Sequence, residues 1–403
     1  MYKQIVWVLN KIFIIILNML SNICIKKDNS LVLFGSKLED HKKDSFIHNS
    51  KYLYLYLQSC KDMTPVWLCD DKKMINIFKR YGLKNVYSRN SLKGILCILK
   101  AKFWIYDVTA NQVSYFNSKN TNAVFINLWH GIPLKKIGFD ASLKVYNFNK
   151  NSMKDKIYRF LRKTDDFYIV NGKYDSSCFQ SAFKASEQKI KYLGSPRNDV
   201  LINEISNTEI FMEKDFNNIV SLKKTGKKLI IYMPTFRDTG KDISQWLNSC
   251  KLKDFLKKNN TVLICKLHPL DKNLLNINLA EEFYKMDNTS DIYPILKYSD
   301  ALVTDYSSVY FDYLLLDKPI VHYVPDLEEY QEKCRGFYKP FKNLIAGIET
   351  HNEQELLLSM QKILDGVDEF KEKRNILRNE LFIYQDGQNC NRIYEFLKKI
   401  KNS

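Results

Sequence analysis

Trp129-His130-Gly131-Ile132-Pro133-Leu134-Lys135-Lys136 places an imidazole, a flexible glycine, a proline and two cations directly after the apolar run Val124–Leu128. An unperturbed histidine titrates at about 6.5, so His130 can accept a proton at neutral pH. The lysines beside it suit an anion. Ligands of α/β proteins bind where strands end, and a buried strand has no use for this composition. The stretch points to proton transfer on a phosphorylated substrate.

Four other loops share this grammar of apolar strand followed by polar residues. In Lys266-Leu267-His268-Pro269, the proline biases His268 toward extended geometry. Lys266 and His268 then share one strand face and can grip a diphosphate; the alternative is a capping histidine with a surface lysine. Asp305-Tyr306-Ser307-Ser308 opens a helix, where serines cap free amides that also bind phosphate. Asp312 lies one turn beyond. In Gly194-Ser195-Pro196-Arg197-Asn198-Asp199, the Arg197 fork suits phosphate or a surface pair with Asp199. Thr235 and Arg237, in Met233-Pro234-Thr235-Phe236-Arg237-Asp238, leave the same choice open.

These loops need a scaffold of alternating elements. Runs 31–34, 65–68, 103–106, 124–129, 167–170 and 190–193 read as strands; 51–57, 71–81, 91–100 and 174–183 read as helices. A charged stretch, 150–163, is a helix or a loop, and polar 204–227 is a connector. A second series follows, with strands 229–233, 261–267, 301–304 and 319–323, and helices 307–316, 353–364, 369–381 and 391–400. This rhythm suits parallel sheets. It predicts two Rossmann-like domains, 28–203 and 204–403, facing a cleft.

Residues 1–27 stand apart. Ile5 to Ile25 is largely apolar but is broken by Asn10, Lys11, Asn18 and Asn22, and Lys26 and Lys27 flank its exit. A charge at the centre of a membrane span costs about 2.5–3.5 kcal/mol, and no small-residue cleavage site follows. A helix lying in the membrane interface is the preferred reading; a true span and a core helix are the alternatives.

Composition bounds the rest. At 403 residues, with 45% hydrophobic content, the chain can build two cores. Only 13 glycines and no G-x-G-x-x-G argue against a dinucleotide fingerprint. The net charge of +17 favours a polyanionic partner, unless it reflects a bias toward Lys, Asn and Ile. Scattered lysines without an arginine-rich tract favour a membrane surface or a phosphate-bearing substrate over nucleic acid. Nine cysteines, odd in number and without C-x-x-C, read as reduced thiols of a cytosolic setting. No D-x-D is present, which favours a reaction without metal.

Taken in order, the loops resemble the CDP-glycerol:poly(glycerophosphate) glycerophosphotransferase family. The matching pieces are Asn127 to Gly138, Gly194 to Asp199, Met233 to Asp238, Lys266 to Pro269 and Thr304 to Asp312, with Lys318-Pro319-Ile320 and Arg335-Gly336-Phe337-Tyr338 beyond. Asn49-Ser50-Lys51-Tyr52 matches more loosely, with His48 where an acidic residue is usual. The resemblance implies a GT-B architecture, transfer of a polyol phosphate from CDP-glycerol or CDP-ribitol, and release of CMP, with no cofactor. It implies His130 as general base and His268 as a second catalytic residue, one that ligates the donor diphosphate. Arg197, Ser307 and Ser308 become donor-diphosphate ligands. Trp129, Gly131, Pro133, Pro234, Thr235, Arg237, Lys266 and Asp312 become substrate-pocket positions. The implied acceptor is a polyprenyl-diphosphate-linked chain at the cytoplasmic face of the membrane, in teichoic acid or capsule synthesis; a homo-oligomer is left open. The rival enzyme is a GT-B glycosyltransferase using a nucleotide sugar. A basic membrane- or nucleic-acid-binding protein explains the charge but leaves five polar strand ends without purpose.

Overall fold

The computed structural model describes residues 16, 23–35, 37, 38, 43–114, 121–141, 164–235, 237, 243, 245–267, 281–333 and 336–402. The strands are β1 (Asp28–Phe34), β2 (Lys37–Leu38), β3 (Lys43–Asp44), β4 (Thr64–Leu68), β5 (Val86–Tyr87), β6 (Ala101–Tyr106), β7 (Val124–Asn127), β8 (Phe167–Val170) and β9 (Ile190–Tyr192). They continue with β10 (Lys228–Met233), β11 (Thr261–Cys265), β12 (Phe283–Lys285), β13 (Ala301–Thr304), β14 (Ile320–Tyr323) and β15 (Ile348–Thr350).

Two wholly parallel sheets result. The first runs β5-β4-β1-β6-β7-β8-β9 and the second β12-β11-β10-β13-β14-β15. Each starts at its centre, winds outward one way, then returns and winds the other. That reversal is the Rossmann order, and it opens a crevice beyond the carboxyl ends of the strands at the switch point.

Side chains alternate across each sheet, and both faces are covered, as parallel sheets require. In β1, Val32 and Phe34 join the large central core while Leu31 and Leu33 join the core on the opposite face. In β10, Leu229 and Ile231 join that same central core, and Ile230 and Tyr232 face a separate one. The helices close the layers by local rules. Asp71 caps Lys72–Arg80 by accepting from the Lys73 and Met74 amides, and this helix buries Met74 and Phe78, four residues apart.

The expected strands and helices form, with shifted ends. The strand before His130 stops at Asn127, two residues early, because Trp129 takes a left-handed φ of 54°. β11 stops at Cys265. The helix expected over 307–316 is shorter: Val309–Tyr313, then a 3-10 turn at Leu314–Leu316. The polar connector contains a helix, Glu213–Lys224. Strands β5, β12 and β15 have only two or three residues, too few to leave a periodic signal. The charged stretch 150–163 lies outside the described residues, as does nearly all of the apolar N-terminal segment. Among the described residues no helix is long and apolar enough to cross a membrane.

Contacts tie the two sheets' loops together. Lys135 and Phe337 form an antiparallel bridge, and the Lys136 amide donates to Gly336 O at 3.0 Å. The closing helix Asn389–Asn402 returns to the first sheet, where Phe396 meets Phe167 edge-on with centroids 5.1 Å apart.

Candidate active site

All strands of each sheet run parallel, so their carboxyl ends share one edge. His130 follows β7, Arg197 follows β9, and Ser307 and Ser308 follow β13. These loops converge at Gly131. Its φ is +140°, and a Cβ there would lie 2.7 Å from Arg197 Nη2 and 3.2 Å from Ser308 Oγ. Glycine alone permits both this backbone and this approach.

Arg197 is buried at 3% exposure and organises the junction. It donates through Nη1 to His130 O at 2.6 Å and through Nη2 to Asp312 Oδ2. The guanidinium also lies over the Tyr293 ring, 4.5 Å from its centroid, and Tyr293 donates its hydroxyl to Asp312 Oδ2 at 2.6 Å. Burial disfavours the arginine charge, but Asp312 overrides it and raises the pKa. The surface pair with Asp199 does not form: Asp199 instead accepts from the Asn389 and Cys390 amides at 3.0 and 2.8 Å.

Asn49 joins the loops from the first-sheet side. Its amide nitrogen donates to Trp129 O at 2.8 Å and Leu128 O at 3.3 Å, and its oxygen accepts from the Arg197 amide at 3.0 Å. His48, beside it, puts its ring 6.0 Å from that of His130. Burial, then His130 and Arg197, lower the His48 pKa to about 3, so it stays neutral at working pH.

Other expected site residues are held by protein groups. Trp129 is buried against Phe179 and Phe183. Pro133 is buried, and its carbonyl accepts from the Tyr174 hydroxyl at 3.0 Å. Arg237 is enclosed by Asp305 and Asp326, each at 2.7 Å, and lies beside the stacked Tyr306 and Tyr330 rings, 4.8 and 4.9 Å from their centroids. Lys266 donates to Asp287 O at 2.7 Å, and burial lowers its pKa to about 8. Asp312 is fully buried as the partner of Arg197. Pro234 is buried, and the Thr235 amide donates to Asp305 at 2.8 Å. Among the described residues the Thr235 hydroxyl and Arg197 Nε have no hydrogen-bond partner. His268 lies outside the described residues.

Sequence reasoning passed over Tyr293, Asp291 and Asp107, none of which lies in a matched loop. Asp291 accepts from Lys51 at 2.9 Å and from the Tyr52 hydroxyl at 2.7 Å. Asp107 follows β6, at the reversal of the first sheet, and accepts from the Ser50 amide at 3.0 Å. Burial pushes its pKa up to about 7 against these hydrogen bonds and Arg197.

A carboxyl raised in the folded state costs stability as pH climbs from its unfolded pKa of about 3.9 through its folded value. Asp107→Asn removes that cost. The variant's gain in stability over wild type should therefore grow between pH 5 and pH 8, read from urea midpoints. An equal difference at both pH values would rule this out.

The model of the CDP-glycerol:poly(glycerophosphate) glycerophosphotransferase family matches residues 17–399. A teichoic acid glycerol-phosphate transferase of Staphylococcus aureus is 31% identical over 362 residues, covering 87% of this chain and 89% of the relative. A teichoic acid poly(glycerol phosphate) polymerase of Bacillus spizizenii is 31% identical over 365 residues, covering 87% and 86%. The solved structure of the wall teichoic acid polymerase TagF superposes with a TM-score of 0.75 at 23% identity, over 100% of this chain and 98% of that one. On the family match and these relatives together, this chain belongs to the CDP-glycerol:poly(glycerophosphate) glycerophosphotransferases.

Proposed function

We propose that the chain transfers glycerol phosphate, or a related polyol phosphate, from a CDP-activated donor to a lipid-linked acceptor in teichoic acid or capsule synthesis, releasing CMP. The observation that carries this reading is the meeting of His130, Arg197 and Ser308 around Gly131, from the ends of two parallel sheets. It suits a GT-B arrangement with residues 28–203 and 204–403 as its two domains. The closing helix then crosses back to the first.

In this scheme His130 takes the proton of the acceptor hydroxyl. The hydroxyl oxygen bonds to the β-phosphorus that carries the polyol. The bond from that phosphorus to the CMP oxygen breaks, and CMP leaves with the electron pair. Arg197, Thr235, Ser307 and Ser308, with His268 opposite, stabilise the charge that grows on the leaving phosphate. Gly131 lets the backbone approach. Trp129, Pro133, Arg237 and Lys266, which are held by protein groups, keep these loops in place, and Asp312 fixes Arg197 through Oδ2; Pro234 lies buried beside Thr235.

The charge of +17 supports peripheral attachment at an anionic membrane, on the cytoplasmic side where nucleotide donors are made. The decisive assay supplies CDP-glycerol, CDP-ribitol and a UDP-sugar separately with a lipid-linked acceptor. CMP release and a product heavier by one or more polyol phosphates are expected. Turnover of the UDP-sugar alone would establish the glycosyltransferase instead.

A further inference from the structure

Residues 336–342 connect two short helices, Leu327–Lys333 and Phe341–Leu344, and lie against the His130 loop. Phe337 bridges to Lys135, the Tyr338 amide donates to Leu134 O at 3.3 Å, and the Tyr338 hydroxyl donates to Asp140 at 2.9 Å. Four consecutive residues, Leu134 to Ile137, and Asp140 beyond them are thus held against a segment from the other sheet. Beside this seam lies an open cavity of about 640 Å³, lined by Gln331, Phe337, Tyr338, Lys339, Lys342 and Glu349 among others. Its volume falls in the usual range of small-ligand clefts, about 300–1,000 Å³.

The rim is cationic. Lys339 and Lys342 are exposed, and among the described residues Glu349 is the one acidic residue of the lining. Exposed Lys136 adds a cation from the His130 loop: a Cβ on Gly336 would sit 3.9 Å from its Cδ. Lys339 leans over the Tyr174 ring, its ammonium 5.2 Å from the centroid. The lining charges come from the second sheet's loops, with Lys136 of the His130 loop beside them at Gly336, and they sit next to aromatic walls.

We propose, on the basis of the phosphotransfer above, that this cavity seats the phosphates of an acceptor chain already carrying several polyol-phosphate units. Each such unit brings one negative charge and a run of C–H groups. The ammonium groups meet the charge as mobile point cations, and Phe337 and Tyr338 cover the carbons. A grip without fixed geometry suits a polymer that must advance after every addition. The protein then extends chains in preference to starting them.

The test pairs two acceptors, one bearing a single polyol phosphate and one bearing several, with the full-length variant K339E/K342E. At low salt the variant's KM for the longer acceptor should rise about ten-fold. KM for the single-phosphate acceptor and for the CDP donor should stay within about two-fold, and CMP release on the short acceptor serves as the folding control. Added salt should erase the wild type's preference for the longer acceptor. A KM for the longer acceptor that stays at the wild-type value in the variant would overturn the assignment. So would a raised donor KM, which would place the nucleotide in the cavity. Failure of the wild type to release CMP with either acceptor would instead overturn the phosphotransfer itself.

Discussion

The His130→Ala enzyme is expected to lose turnover by about 10²–10⁴-fold, the usual worth of a positioned general base. It should keep its fold and its affinity for the donor. The geometry explains why the two can be separated. Arg197 is anchored on the His130 carbonyl, at 2.6 Å, and not on the imidazole. Cutting the ring back to a methyl group leaves that anchor, the Asp312 pair and the Asn49 clamp intact. The ring is partly exposed and stacks loosely on Trp129, with centroids 4.4 Å apart, so little packing is lost. Single-turnover CMP release, donor titration calorimetry and circular dichroism together check this. A correctly folded variant that releases CMP at the wild-type rate would remove His130 from the chemistry.

Lys51→Ala should destabilise the protein by about 3–5 kcal/mol, as breaking a buried ion pair from one side does. The Lys51 side chain is 0% exposed and that of Asp291 is 5% exposed. Its ammonium donates to Asp291 at 2.9 Å and to the Thr208 carbonyl at 2.7 Å. The variant leaves a buried carboxylate with only the Tyr52 hydroxyl and the Tyr293 amide, and strands a carbonyl. Burial alone would raise the Asp291 pKa, but Lys51 and these hydrogen bonds reverse that and hold it below the usual carboxylate range. A carboxylate depressed in the folded state contributes stability above its unfolded pKa of about 3.9, and loses it as pH falls through the folded value. The gap between wild type and variant should therefore be widest near pH 7 and shrink in acid. Urea unfolding at both pH values measures it, and a loss under about 1 kcal/mol at pH 7 would contradict the pair's importance. Activity should fall as well, because the pair links the helix that carries His48 and Asn49 to a loop of the second sheet.

Much of this was legible in the residues. Apolar runs of four to six residues marked the long strands, since burial on both faces leaves an unbroken signal. Polar clusters marked their ends, and the loops that carry His130, Arg197 and Ser308 do meet there. What residue type could not show was the surroundings. Arg237 and Lys266 are cations in matched loops; one is enclosed by two carboxylates and the other donates to a backbone carbonyl. Trp129 packs on two phenylalanines, a contact its sequence neighbours do not reveal.

By itself, then, the sequence determined the alternation of elements, the polar strand ends and the kind of chemistry they offer, because each depends on neighbours within about ten residues. Only the tertiary structure decided who meets whom. Arg197 pairs with Asp312, 115 positions away, and not with Asp199, two positions away. Asn49 holds the Arg197 amide across 148 positions. Such partners are chosen by the order in which strands wind from the centre of each sheet and by the packing of one sheet's loops on the other's. Neither leaves a period or a spacing in the chain.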